Sequence, residues 1–245
     1  MAYLKIKNKK DFIGNFLSPI SNLNDSCILK IKDNRLVSIL ASSDATIVCK
    51  ADVEVESDVS GDVNLNIPDL KKLVRVLEIL NIEDVELKLN NNNLSFNNNE
   101  YKFKYHLLDD GIIKQPQINI EKVNELEFDT EFEIKESSFS TLFKGSSFAT
   151  ETSKLYFFEE DGKIYGELGD KTRHNTDNFV CCLAEEFIGN TLTKHIPVNF
   201  DSFRLLSFSG SNKINFKINN KMGVMTCSFT KGNVDLIYII SALIN

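Results

Sequence analysis

The sequence predicts an α+β protein of two similar domains, each with two helices laid on antiparallel sheets. Three observations carry this. Short runs of alternating apolar residues are separated by turn residues along most of the chain. Only four segments show helical spacing. The second half of the chain repeats features of the first at a shift of about 128 residues.

The strands come from the alternation. CILKIK (Cys27 to Lys32), VELKLN (Val85 to Asn90), LYFF (Leu155 to Phe158) and INFKIN (Ile214 to Asn219) read as strands. Between such runs lie Asp33-Asn34, the runs Asn90 to Asn93 and Asn97 to Asn99, Glu160-Asp161-Gly162, Asn219-Asn220 and Lys231-Gly232-Asn233. Asn, Asp and Gly tolerate the positive φ of tight hairpin turns, so this pattern means many antiparallel strands.

The helices are predicted at Lys10 to Ile20, Pro68 to Leu80, Ser137 to Phe148 and Phe200 to Ser209. The second is the clearest. Pro68 suits a first helical turn, and Leu70, Leu73, Val74, Leu77 and Leu80 recur at helical spacing. Phe12, Ile13, Phe16 and Leu17 make a similar stripe in the first, and Phe139, Leu142 and Phe143 in the third.

The repeat sets the domain count. Asp33-Asn34-Arg35-Leu36 meets Asp161-Gly162-Lys163-Ile164 at a shift of 128. Phe12 and Phe16 meet Phe139 and Phe143 at 127. Ile67-Pro68, Arg75 and VELKLNN meet Ile196-Pro197, Arg204 and INFKINN at 129. The expected domains are residues 1–115 and 116–245, joined by a linker near 109–122 where Gly111 and Pro116 break regular structure. Each should hold two helices and about eight strands.

Composition narrows the function. The chain has 245 residues, a formal net charge of -7, 18 Phe and no Trp. Evenly spread, that charge would repel DNA, so a nucleic-acid role requires the basic residues to gather on one surface. The five cysteines, Cys27, Cys49, Cys181, Cys182 and Cys227, form no CxxC pair and read as reduced and mostly buried. The N-terminus lacks a signal-peptide apolar core, and no apolar run reaches the ~20 residues of a membrane helix. A soluble, cytoplasmic protein is expected, in the host cytoplasm if the chain is viral. His106, His174 and His195 lie in no zinc or triad motif, and no phosphate-binding glycine loop occurs. The expectation is therefore a protein without catalytic activity, metal or cofactor.

The segment RLVSILASSDATIVCKADV (Arg35 to Val53), with its Ser42-Ser43-Asp44 turn, resembles the corresponding stretch of DNA polymerase sliding clamps of T-even-type and marine phages. It is also similar to the strand-turn-strand of the proliferating cell nuclear antigen family. IPDLKKLVRVLEIL (Ile67 to Leu80) resembles the second helix of a clamp domain. The resemblance implies the DNA clamp fold and three chains in a head-to-tail homotrimeric ring around duplex DNA. It further implies helices lining the hole, contacts independent of base sequence, and tethering of the DNA polymerase. A clamp loader and late-transcription factors are the other implied partners.

The charge pattern agrees with that implication. In windows 9–20, 68–80, 137–148 and 200–213, the basic residues Lys9, Lys10, Lys71, Lys72, Arg75, Lys144, Arg204 and Lys213 outnumber four acidic ones. These windows carry +4, so the rest of the chain carries -11. Those eight residues are the expected DNA-facing set, aimed at phosphates. The same residues also suit ordinary solvated helix faces.

A clamp also implies an apolar pocket for partner peptides near the linker and C-terminus. By position its expected residues are Ile47, Ile112, Ile113, Ile240 and Ala242, although ordinary packing accounts for each equally well. A β-rich phage structural or assembly protein without DNA binding would share the hairpins and acidity. It would not need cations gathered on four helices.

Overall fold

The computed structural model describes residues 2–90, 92–173, 175–211 and 213–243. The chain divides into two compact units. The first is Met1–Ser43, Cys49–Pro116 and Thr230–Leu236; the second is Asp44–Val48, Gln117–Phe229 and Ile237–Asn245.

The first part of the chain forms β1 (Ala2–Ile6), α1 (Lys9–Asp11), a π-helical stretch (Phe12–Leu17), α2 (Ser18–Leu23), β2 (Cys27–Lys32), β3 (Arg35–Ala41) and β4 (Ile47–Glu54). It continues with β5 (Glu56–Ser57), β6 (Val63–Ile67), α3 (Leu70–Ile79), β7 (Val85–Asn90), β8 (Asn93–Asn97) and β9 (Lys102–His106). The second part forms α4 (Ile120–Asn124), β10 (Thr130–Ile134), α5 (Glu136–Gly145), β11 (Lys154–Glu160), β12 (Lys163–Leu168) and β13 (Phe179–Ala184). Then follow β14 (Ile188–Gly189), β15 (Ile196–Asn199), α6 (Phe200–Phe203), β16 (Ile214–Asn219), β17 (Val224–Lys231) and β18 (Val234–Ser241).

The strand orders repeat one for one. Unit 1 holds β5-β1-β7-β8-β9 and the run β6-β2-β3 with most of β4; unit 2 holds β14-β10-β16 with most of β17 and β18, and β15-β11-β12-β13. The registers fix the residue equivalences. Leu4↔Leu87 matches Phe132↔Phe216, and Lys30↔Val37 matches Phe158↔Tyr165. One sequence match fails. Ile67 pairs with Cys27, whereas the partner of the equivalent Leu155 is Val198, two residues beyond Ile196. Pro68 precedes α3, but Pro197 sits inside β15, an edge strand that can dispense with one N–H.

The first predicted helix is longer than its apolar stripe suggested and changes pitch midway. A proline ring inside a helix crowds the carbonyl four residues back, and the wider π turn ahead of Pro19 relieves that crowding at Asn15. In α3, Leu70, Leu73 and Leu77 are buried, each worth about 1.5–3 kcal/mol. The predicted Phe200 to Ser209 helix stops at Phe203. Phe208 instead turns inward and stacks on Phe139, with ring centroids 4.3 Å apart. Phe203, Phe216 and Phe229 complete an aromatic core in unit 2. The helix α4 was not predicted; its signal was Asn119, whose side chain caps Lys122 N–H at 3.0 Å.

Candidate nucleic-acid interface

In unit 1 the cations stand on capped helices. Asp69 accepts from Lys72 N–H at 2.8 Å and starts α3. Its buried leucines then leave Lys71, Lys72 and Arg75 exposed on the other side. Lys71 pairs with Asp25 at 2.8 Å. Asn8 caps the first helix by accepting from Asp11 N–H, and Lys10 projects into solvent.

Lys9 is a correction. It is only 6% exposed, and its ammonium donates to the carbonyl of Leu80, the residue that ends α3. A cation at a helix C-terminus satisfies an orphan carbonyl and complements the macrodipole. Lys9 therefore holds two helices together and is not a phosphate contact.

In unit 2, Lys144 is exposed in the last turn of α5. Arg204 ends α6 and lies 3.3 Å from Asp201. One turn of helix is marginal alone, and α6 is fixed from outside. Asn199 accepts from Asp201 N–H at 2.9 Å and Ser202 N–H at 3.3 Å. Asp44 then accepts from Asn199 Nδ2 at 2.8 Å and Ser202 Oγ at 2.7 Å. Lys213 is exposed but belongs to no helix. It precedes β16 and pairs with Glu133 at 2.8 Å, which holds its ammonium above the ordinary lysine range. Among the described residues, Lys10, Lys72, Arg75 and Lys144 make no ion pair.

The predicted peptide-pocket residues divide. Ile47 and Ile240 are each 1% exposed and belong to the core of unit 2, because alternate strand residues face inward. Ile112 is 58% exposed and Ile113 half-buried, both in unit 1. Ala242 is half-buried in unit 2, where its N–H donates to Gly223 O at 2.7 Å and Leu243 N–H donates to Pro197 O at 2.8 Å. Beside them Met222 is 60% exposed. Sequence reasoning passed over Met222 and Leu243; a methionine in a polar hairpin turn was the available signal. Of the histidines, His106 is exposed on β9, His195 lies 3.8 Å from Glu167, and His174 falls outside the described residues. No helix among the described residues is long and apolar enough to cross a membrane.

Two units of one topology, each with its helices beside antiparallel sheets, define the fold of the DNA sliding clamps. Three solved structures similar to this chain are of the PCNA type. A. fulgidus PCNA, solved with the C-terminal region of FEN-1, is 15% identical with a TM-score of 0.77, covering 100% of this chain and 99% of that one. Proliferating cellular nuclear antigen from Entamoeba histolytica is 13% identical at 0.74, covering 99% of both. The PCNA2-PCNA3 complex from Sulfolobus tokodaii gives 11% and 0.72, covering 98% of both. No protein-family model and no curated protein sequence matches the chain.

Proposed function

We propose that this chain is a DNA polymerase sliding clamp, three copies of which close into a ring around duplex DNA and tether the replicative polymerase. The observation that carries the reading is the clamp fold over the full chain, with exposed cations on helices in both units of a protein whose net charge is -7. Contacts of this kind go to phosphates, bind every sequence alike and permit sliding.

Two edges support head-to-tail assembly. In unit 1, β9 ends its sheet and exposes Lys102, Lys104 and His106. In unit 2, β13 ends its sheet and exposes Val180 between Asp177 and Glu185-Glu186. A basic open edge and an acidic one on the same chain suit a heterologous contact that closes on itself. In unit 1, Ile112 and Ile113 are apolar residues offered to partner peptides, the polymerase and a clamp loader among them; in unit 2, Met222, Ala242 and Leu243 are a separate candidate. The resemblance of the Arg35 to Val53 segment to phage clamps favours a phage replisome, with a late-transcription role alongside. The test is primer extension on a long primed circle with the cognate polymerase and loader. The chain should lengthen the products at high salt, and product lengths indifferent to its presence would refute the reading.

A further inference from the structure

Because the two units share one topology, positions where they differ in chemistry are positions the fold does not dictate. The outer face of the β15-β11-β12 sheet is such a place. On β11 and β12, Leu155, Phe157, Ile164 and Leu168 are buried, and the opposite face carries Tyr156, Phe158, Tyr165 and Glu167. Phe158 stacks on Tyr165 at 5.5 Å and on His195 at 4.6 Å, and both Phe158 and Tyr165 remain half-exposed. The equivalent residues of unit 1 are Ile28, Lys30, Val37 and Ile39, with no ring among them.

The face already holds a cation. Lys171 Nζ sits 5.2 Å from the Tyr156 ring centroid and 5.9 Å from that of Phe158. It lies 2.5 Å from Glu167, whose side chain is 11% exposed and also accepts from Asn178 at 3.3 Å. Rings attract cations through their negative faces, most strongly where water is excluded. Glu160 follows Phe158 on the same side of β11 and is exposed.

We infer that this face is a docking site for a basic protein segment, whose arginine or lysine side chain stacks on Phe158 and Tyr165 beside Glu160. The resident Lys171 occupies the Tyr156 end of the same surface. The inference does not depend on ring formation or on DNA. Glu167 is paired with Lys171, and Lys163, which stands across from Glu160, is paired with Glu185 at 2.6 Å, so among the described residues Glu160 is the carboxylate at the Phe158 end that makes no ion pair.

The experiment is a titration of the whole chain with a tetra-arginine peptide, its affinity read by calorimetry in every variant and its place read in the wild type from the aromatic NMR resonances of Phe158 and Tyr165. A tetra-citrulline peptide is the uncharged control. The arginine peptide should shift both rings and the citrulline peptide should not. Phe158→Ser with Tyr165→Ser should weaken binding by about fivefold or more. Both side chains are half-exposed, and thermal unfolding checks that the fold survives. Lys171→Ala, which vacates the Tyr156 end, should tighten binding. Equal affinity in the double variant would mean attraction to the acidic chain at large and would overturn the inference. So would equal binding of the citrulline peptide, or weaker or unchanged binding to Lys171→Ala.

Discussion

The Tyr105 hydroxyl donates to the carbonyl oxygen of Asp69 at 2.7 Å and accepts the Asp69 N–H at 3.1 Å, tying β9 to the residue that precedes α3. Asp69 is also the cap of the helix that presents Lys71, Lys72 and Arg75. One phenol thus links an edge strand proposed for assembly to a helix proposed to face DNA.

Tyr105→Phe leaves both Asp69 backbone groups without that partner and should cost about 1–3 kcal/mol of stability. Burial pushes the Tyr105 phenol up to about 12, against the weaker downward pull of its Asp69 hydrogen bond. The folded state therefore holds this proton more tightly than the unfolded state. Its contribution is complete below about pH 10 and is lost as pH rises toward about 12. Urea midpoints across that window should fall more steeply for the wild type than for Tyr105→Phe. Parallel curves would refute the assignment.

Lys9 and Lys10 are neighbours with opposite expectations. Lys9→Met removes the ammonium from the end of α3 and should cost about 1–2 kcal/mol, with no change in the salt dependence of DNA binding. Lys10→Met should leave stability within about 0.5 kcal/mol and reduce the salt slope. Urea denaturation and salt-dependent duplex binding distinguish the two.

The quadruple substitution of Lys71, Lys72, Arg75 and Arg204 by Ala should leave folding and assembly intact, because all four side chains are exposed. Loading and processive synthesis should fall, and the dependence of DNA binding on salt should become shallower as fewer counterions are released. Primer extension over a range of salt checks this. Wild-type product lengths at every salt would show that these helices do not line the DNA path.

Ile112→Ser with Ile113→Ser should weaken a peptide from the cognate polymerase's C-terminus by at most a few kcal/mol. Oligomeric mass should not change. Calorimetry of peptide binding decides the point, and unaltered affinity would remove Ile112 and Ile113 from the site.

The legible parts of this fold were local. The turns at Asp33-Asn34 and Asp161-Gly162 announced equivalent hairpins because positive φ favours those residue types, and both Asp33 and Asp161 have it. The leucine stripe of α3 announced a buried face. What stayed hidden depended on distant partners. Lys9 looked like its neighbour until the Leu80 carbonyl, 71 residues away, came beside it. Phe208 read as helical until it met Phe139. Ile47 and Ile240 read as pocket residues, since sequence position does not tell which face of a strand is covered. The Ile-Pro match misled because one proline precedes a helix and the other lies in an edge strand.

Ring formation is the central claim, and the molar mass in solution tests it most directly. One chain is 27.8 kDa. Light scattering on the purified protein at concentrations up to about 100 μM should find a species three times that mass, its population rising with concentration by mass action. A mass of one chain throughout that range would contradict the clamp reading.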